Sequence, residues 1–205
     1  MLPGTIDHNP TDGGMSSAVA AVLAGALMAV AAPAVAHAES PQHTDWRQPI
    51  PSSQVLHGNL FGIKASGIGI GNLKSKKFLQ ASSTANGAKV VQQPGNSANP
   101  LQNWTAVNDS PYTSFENVPA GRNLGINGAS TVSGAAAIIA NGAGDANQDW
   151  KLVPVAGYPD GYFAMKNRKS GLCLGISGAS TANGAQAAQF ACDGSANQGW
   201  ALFNP

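Results

Sequence analysis

The chain has 205 residues, with eleven Lys and Arg against ten Asp and Glu, so its formal charge is +1 and only 10% of it is charged. Nucleic acid is not an expected partner, because phosphate recognition needs a concentrated basic face. Two cysteines and four histidines show no zinc-like spacing, so neither a metal nor another cofactor is expected.

In chain order, the first recognisable element is an uncharged apolar run, Ala18 to Ala32, ending at Ala36-His37-Ala38 before Glu39. It resembles a secretory signal peptide over residues 1–38. No Lys or Arg precedes the run, whereas Asp7 and Asp12 do, so residues 1–14 read as an upstream extension with Met15 as the start. A membrane anchor is the alternative, although a span needs about 20 apolar residues. No other segment is apolar enough to span a bilayer, and no membrane association is expected after the leader is removed. A 38-residue leader would leave 167 residues, eleven basic and eight acidic, a formal charge of +3. That length suits one domain. Residues 39–66, with Trp46, Pro41, Pro49 and Pro51, form an N-terminal extension that could dock on the rest of the chain or on a neighbour.

From residue 67 the chain repeats itself. Tyr112–Pro154 set over Tyr162–Asn204 matches at 19 of 43 positions with no gap. A weaker copy precedes them, giving repeats at about 67–108, 112–155 and 162–205. Each ends in Gln-x-Trp: Gln102 and Trp104, Gln148 and Trp150, Gln198 and Trp200. Each also carries a Leu some 25 residues earlier (Leu79, Leu124, Leu174) and an Asn upstream of that (Asn72, Asn117, Asn167). Self-similarity at this period governs the whole fold. Short extended runs such as "KVVQQ", "YTSFEN" and "LCLGIS" alternate with turn-forming "STANG" and "GAGDAN", and no apolar stripe has helical spacing. The reading is all-β, about four short strands per repeat and about twelve in all, with closure removing exposed edges. Lys74, Lys76 and Lys77 form the one local charge cluster, read as a solvated loop.

Three Gln-x-Trp motifs in register resemble the ricin B-type lectin repeat, most closely in "SGLCLGISGASTANGAQAAQFACDGSANQGW" of the third copy. The resemblance covers residues 67–205 and implies a β-trefoil, a pseudo-threefold all-β domain. Under it the three Trp fill a common core with the three Leu, and Gln102, Gln148 and Gln198 satisfy buried backbone groups. In an exported protein, Cys173 and Cys192 are expected to form a disulfide, worth roughly 3 kcal/mol for so short a loop. Metal ligation is the competing idea.

The resemblance also implies a shallow sugar pocket on each repeat: an acid after Cys-Leu, an aromatic ring, and an Asn before the Gln-x-Trp motif. The acid's place is held by Gln80, Gly125 and Gly175, and the ring's by Gln93, Ala140 and Phe190. The Asn is Asn147 in the second copy and Asn197 in the third, with Leu101 at that place in the first. Phe190, Asn197, the nearby Asp193 and Gly175 make the third repeat the best candidate, and Gln80, Gln92 and Gln93 are the amides the first repeat offers. Without the carboxylate, a galactose-type pocket loses its charge-assisted hydrogen bonds. Eight scattered carboxylates offer no facing pair, Asp145 and Asp149 reading as an exposed loop, so an enzyme is not expected. The expectation is a secreted, monomeric, non-catalytic module that binds a glycan or polysaccharide. A trefoil for protein contact or inhibition, with a protein partner and no sugar, is the alternative.

Overall fold

Gly, Asn and Ser clusters interrupt the chain every few residues, so no strand runs longer than six residues. The computed structural model describes residues 46, 48–56 and 67–204; the expected leader and residues 57–66 lie outside the described residues. A five-residue helix α1 (Ser52–Leu56) precedes twelve strands. The first repeat supplies β1 (Gly69–Asn72), β2 (Phe78–Ala81), β3 (Val90–Gln93) and β4 (Trp104–Asp109). The second supplies β5 (Tyr112–Asn117), β6 (Arg122–Ile126), β7 (Ala137–Asn141) and β8 (Trp150–Val153). The third supplies β9 (Tyr162–Asn167), β10 (Cys173–Ile176), β11 (Ala187–Phe190) and β12 (Gly199–Phe203).

Strands β4, β5, β8, β9, β12 and β1 pair antiparallel in that order. A bridge between Ile68 and Trp104 closes the ring into a barrel, which leaves these strands without a free edge. The register repeats with the sequence: Ile68 faces Trp104, Thr113 faces Trp150 and Phe163 faces Trp200. The hairpins β2–β3, β6–β7 and β10–β11 cover one end of the barrel. Bridges Lys89–Ile138, Val91–Gln186 and Ala136–Ala188 join all three hairpins to one another. At this junction the two N–H bonds of Gln186 Nε2 are shared among the carbonyls of Val90, Ala137 and Ala187, all at 2.8–2.9 Å. The molecule is a β-trefoil.

Period-2 alternation selects what enters the barrel: in β5, Thr113, Phe115 and Asn117 point inward while Tyr112, Ser114 and Glu116 are half-exposed. Trp104, Trp150 and Trp200 are fully buried in one core with Leu79, Leu124 and Leu174. Each indole N–H donates to the carbonyl of its own repeat's Leu, at 3.2, 3.0 and 2.9 Å. The Gln side chains tie down the loop ahead of each motif. Nε2 of Gln102, Gln148 and Gln198 donates to the carbonyls of Pro94, Asn141 and Ala191 at 2.9, 2.9 and 2.8 Å.

The extension seats on this body. Ile50 N donates to Leu202 O at 2.7 Å, Val55 is buried in the main core, and Gly161 N donates to Ser52 Oγ at 2.7 Å. Asp160 accepts from Ser52, which lowers its pKa. Trp46 joins Phe78, Phe203 and Ala201 in a second, smaller cluster.

Candidate functional site

The third-repeat residues converge on an open concavity of about 420 Å3. Phe190, at the end of β11, forms one wall as a half-exposed ring. The loop after it, Ala191 to Asn197, supplies Asp193, Ser195 and Asn197. Ser133, from the loop ahead of β7 in the second repeat, borders the concavity too. Three restraints hold the loop. Cys173 and Cys192 are disulfide-bonded with their Cα atoms 5.0 Å apart, Asp193 N donates to Gln198 Oε1 at 3.2 Å, and Tyr158 Oη donates to Ser195 O at 2.8 Å. Partial burial, and secondarily the charge of Asp193, raise the pKa of Tyr158, so it stays a donor.

Ser195 organises the polar rim. Its hydroxyl donates to Asn197 Oδ1 at 2.8 Å, and its amide donates to Asp193 Oδ1 at 2.8 Å. The Ser195 side chain and then its amide hold the Asp193 carboxyl below the ordinary carboxylate range. The hydroxyl has one proton, which serves Asn197 in the observed geometry and Asp193 only when it swings across. Asp193 is exposed and thus presents a charged, solvated acceptor at the rim. It also borders a second cleft of about 450 Å3 lined by Val153, Val155 and Lys166 on the other side of the disulfide loop.

Gly175 lies beneath these groups. A Cβ there would stand 3.1 Å from Gln198 Cγ and 3.3 Å from both Phe190 Cδ2 and Asn197 Nδ2. The ring and amide have closed over the place where the resemblance puts a carboxylate. Gly125 is closed in the same way, with Gln148 Cγ at 2.9 Å from the missing Cβ.

The other repeats present less. Asn147 is buried, its Nδ2 donating to Ile126 O at 3.3 Å, so it faces the interior. Gln80 Oε1 accepts from Asn99 Nδ2 and Gln102 Nε2 at 3.0 and 3.1 Å. Gln92 is buried and spans to the third repeat, donating to Ser180 O and Ala182 O at 3.0 and 2.9 Å. Gln93 remains half-exposed beside them. Asp149 corrects the exposed-loop expectation: it is buried and pairs with Arg168 at 3.1 Å, across the boundary between repeats. Ser133, Ser195 and Tyr158 were not singled out from sequence. The only signal for them is their place in loops flanking the repeated motif.

A model of the ricin-type β-trefoil lectin domain-like family matches residues 59–140, 100–159 and 146–205. The chain belongs to this family. Among solved structures, this ricin-type trefoil is similar to ThreeFoil, a designed threefold-symmetric protein, at 32% identity and a TM-score of 0.63, covering 68% of this chain and 99% of that one. An exo-β-1,3-galactanase from Clostridium thermocellum aligns at 28% identity and a TM-score of 0.64 over 68% of this chain, which spans only 30% of that enzyme. The ricin B-like lectin of Macrolepiota procera, solved in complex with lactose, shares the fold at 19% identity and a TM-score of 0.59, covering 69% of this chain and 98% of that one. No curated protein matches the ricin-type chain.

Proposed function

We propose that this chain is a secreted, non-catalytic carbohydrate-binding module whose working sugar site is in the third repeat. The observation that carries this reading is the meeting of Phe190, Asp193 and Asn197 on one concavity. A pyranose has an apolar C–H face and a rim of hydroxyls. The Phe190 ring suits the first, and the Asp193 carboxylate and Asn197 amide suit the second. The family membership, the galactanase that contains a similar trefoil and the lactose-bound relative support the class of ligand. The disulfide accords with export. Among the described residues no helix is long and apolar enough to cross a membrane. With Gln80, Gln92 and Asn147 committed internally, the equivalent pockets of the first two repeats are closed to a sugar, and the third-repeat concavity binds weakly and alone of its kind.

A glycan array and pull-down on insoluble polysaccharides test this. Phe190→Ala should weaken binding about tenfold or more, the worth of one stacked ring, with little change in melting temperature. Binding that survives Phe190→Ala unchanged overturns the site. A clean array and pull-down overturn the lectin reading in favour of a protein-contact trefoil. The pH profile supplies a further check. The Asp193 pKa is lowered in the folded protein, so its charge persists as pH falls through the ordinary Asp range. Affinity should hold from neutral pH to about pH 4 and fall only as pH drops through the depressed value.

A further inference from the structure

The chain enters β1 as Gly67-Ile68-Gly69-Ile70-Gly71. Ile68 and Ile70 are buried, which leaves the outer face without side chains. Aromatic rings lie on that bare face. A Cβ on Gly69 would meet the Trp46 ring at 2.5 Å, and one on Gly71 would meet Phe203 at 2.6 Å. The corresponding residues are Ser114 and Glu116 in the second repeat and Ala164 and Lys166 in the third, so this arrangement belongs to the first repeat alone. Trp46, Gly71, Lys76, Phe78, Tyr162 and Phe203 line a cleft of about 230 Å3 there.

Two features of the cleft are not explained by packing. The Trp46 Nε1–H is enclosed with no hydrogen-bond partner among the described residues, whereas the other three indoles each have a carbonyl. An unmade buried hydrogen bond is costly, and here it belongs to a ring that walls the cleft. Lys76 has φ 58°, at the turn where the other repeats have Gly121 (φ 57°) and Gly171 (φ 70°). The three amides make the same bond, to Asn72 O, Asn117 O and Asn167 O at 3.0, 2.9 and 2.9 Å. A lysine is strained where glycine is relaxed, and the side chain that bears this strain lines the cleft. Its ammonium stands 5.7 Å from the centre of the Tyr162 ring, at the mouth of the cleft. Lys74 and Lys77 flank it, and the one ion pair among the described residues is Arg168–Asp149, so none of the three lysines has a carboxylate partner there.

We propose that this cleft is a second saccharide site, selective for a sugar that carries a carboxylate, such as a uronic acid residue. The carboxylate binds Lys76, and the C–H face lies against Tyr162 and the neighbouring rings, Trp46 among them. The cleft shares no residue with the third-repeat concavity, so the two stand or fall separately.

The chain has four Trp, and hence four indole N–H signals in a proton–nitrogen correlation spectrum. The probes are methyl galacturonoside, methyl glucuronoside and neutral methyl galactoside, added to millimolar concentration. A uronoside should move one indole signal, the one missing in Trp46→Phe, with the neutral sugar binding about tenfold more weakly for want of the charge. Lys76→Gly should weaken the uronoside about tenfold while raising the melting temperature, because glycine relaxes the turn. That gain in stability keeps the test readable if Trp46→Phe folds poorly. Phe190→Ala should leave the response intact. No indole movement with either uronoside, equal response to the neutral sugar, or unchanged affinity in Lys76→Gly overturns the proposal.

Discussion

Trp150→Ala should destabilise the domain by about 3–5 kcal/mol, the cost of emptying a fully buried indole site. The ring is 0% exposed in the main core, and its N–H satisfies Leu124 O at 3.0 Å. Deletion therefore leaves a cavity in the main core and removes one buried hydrogen bond. The closed barrel limits collapse, because each neighbouring strand is paired on both sides. At roughly 2–4 °C per kcal/mol for a chain of this size, the melting temperature should fall by about 6–20 °C. Trp104→Ala and Trp200→Ala should match it, since both rings are equally buried and equally bonded. Trp46→Ala should cost less: that ring lies at the edge of the body, and its N–H leaves no protein carbonyl unsatisfied. Thermal unfolding of the four variants checks both size and order. A wild-type melting curve for Trp150→Ala would refute the assignment of the motif to the core.

The barrel was legible because its determinants recur. A Trp, a Leu and a Gln at fixed places in three copies have few uses other than a shared core, and the side-chain hydrogen bonds of each Trp and Gln lie within its own repeat. The third-repeat concavity was legible in part for the same reason of locality. Phe190, Asp193 and Asn197 lie within eight residues of one another, so a single loop carries them. Contacts that cross between repeats left no such trace. Asp149 looked solvated because its partner, Arg168, belongs to the next repeat. Gln92 looked available because the carbonyls it holds are about 90 residues away. The Gly-Ile-Gly-Ile-Gly strand carried a signal that alternation alone does not decode. Glycine at every outward position strips a face, but only the arrival of Trp46 and Phe203 shows what covers it.

The repeated Asn is the clearest case of a visible pattern with a non-local meaning, and it carries the second large expected effect. Asn72 Nδ2 donates to Asn197 O and Gly199 O at 3.0 and 3.3 Å. Asn117 Nδ2 donates to Leu101 O and Asn103 O at 3.0 and 3.3 Å, and Asn167 Nδ2 to Asn147 O at 3.0 Å. Each Asn thus holds the Gln-x-Trp turn of the repeat before it in the ring, the first reaching round to the third. The carbonyl oxygen works on the near side. Asn167 Oδ1 accepts from Lys169 N and Ser170 N at 3.1 and 3.2 Å, and Asn72 Oδ1 accepts from Lys74 N and Ser75 N, both at 3.1 Å. The second repeat has Pro119 where the others have Lys74 and Lys169, and proline has no N–H to give. Asn117 Oδ1 is correspondingly buried without a partner. Asn167→Ala strands a buried carbonyl and frees two turn amides, so it should cost about 2–4 kcal/mol. Asn72→Ala should resemble it. Asn117→Ala should cost about half as much, because it also removes an oxygen that was already unsatisfied. Denaturant titration of the three variants gives the ranking. Equal losses at all three positions would show that only the donor side of the amide joins the repeats.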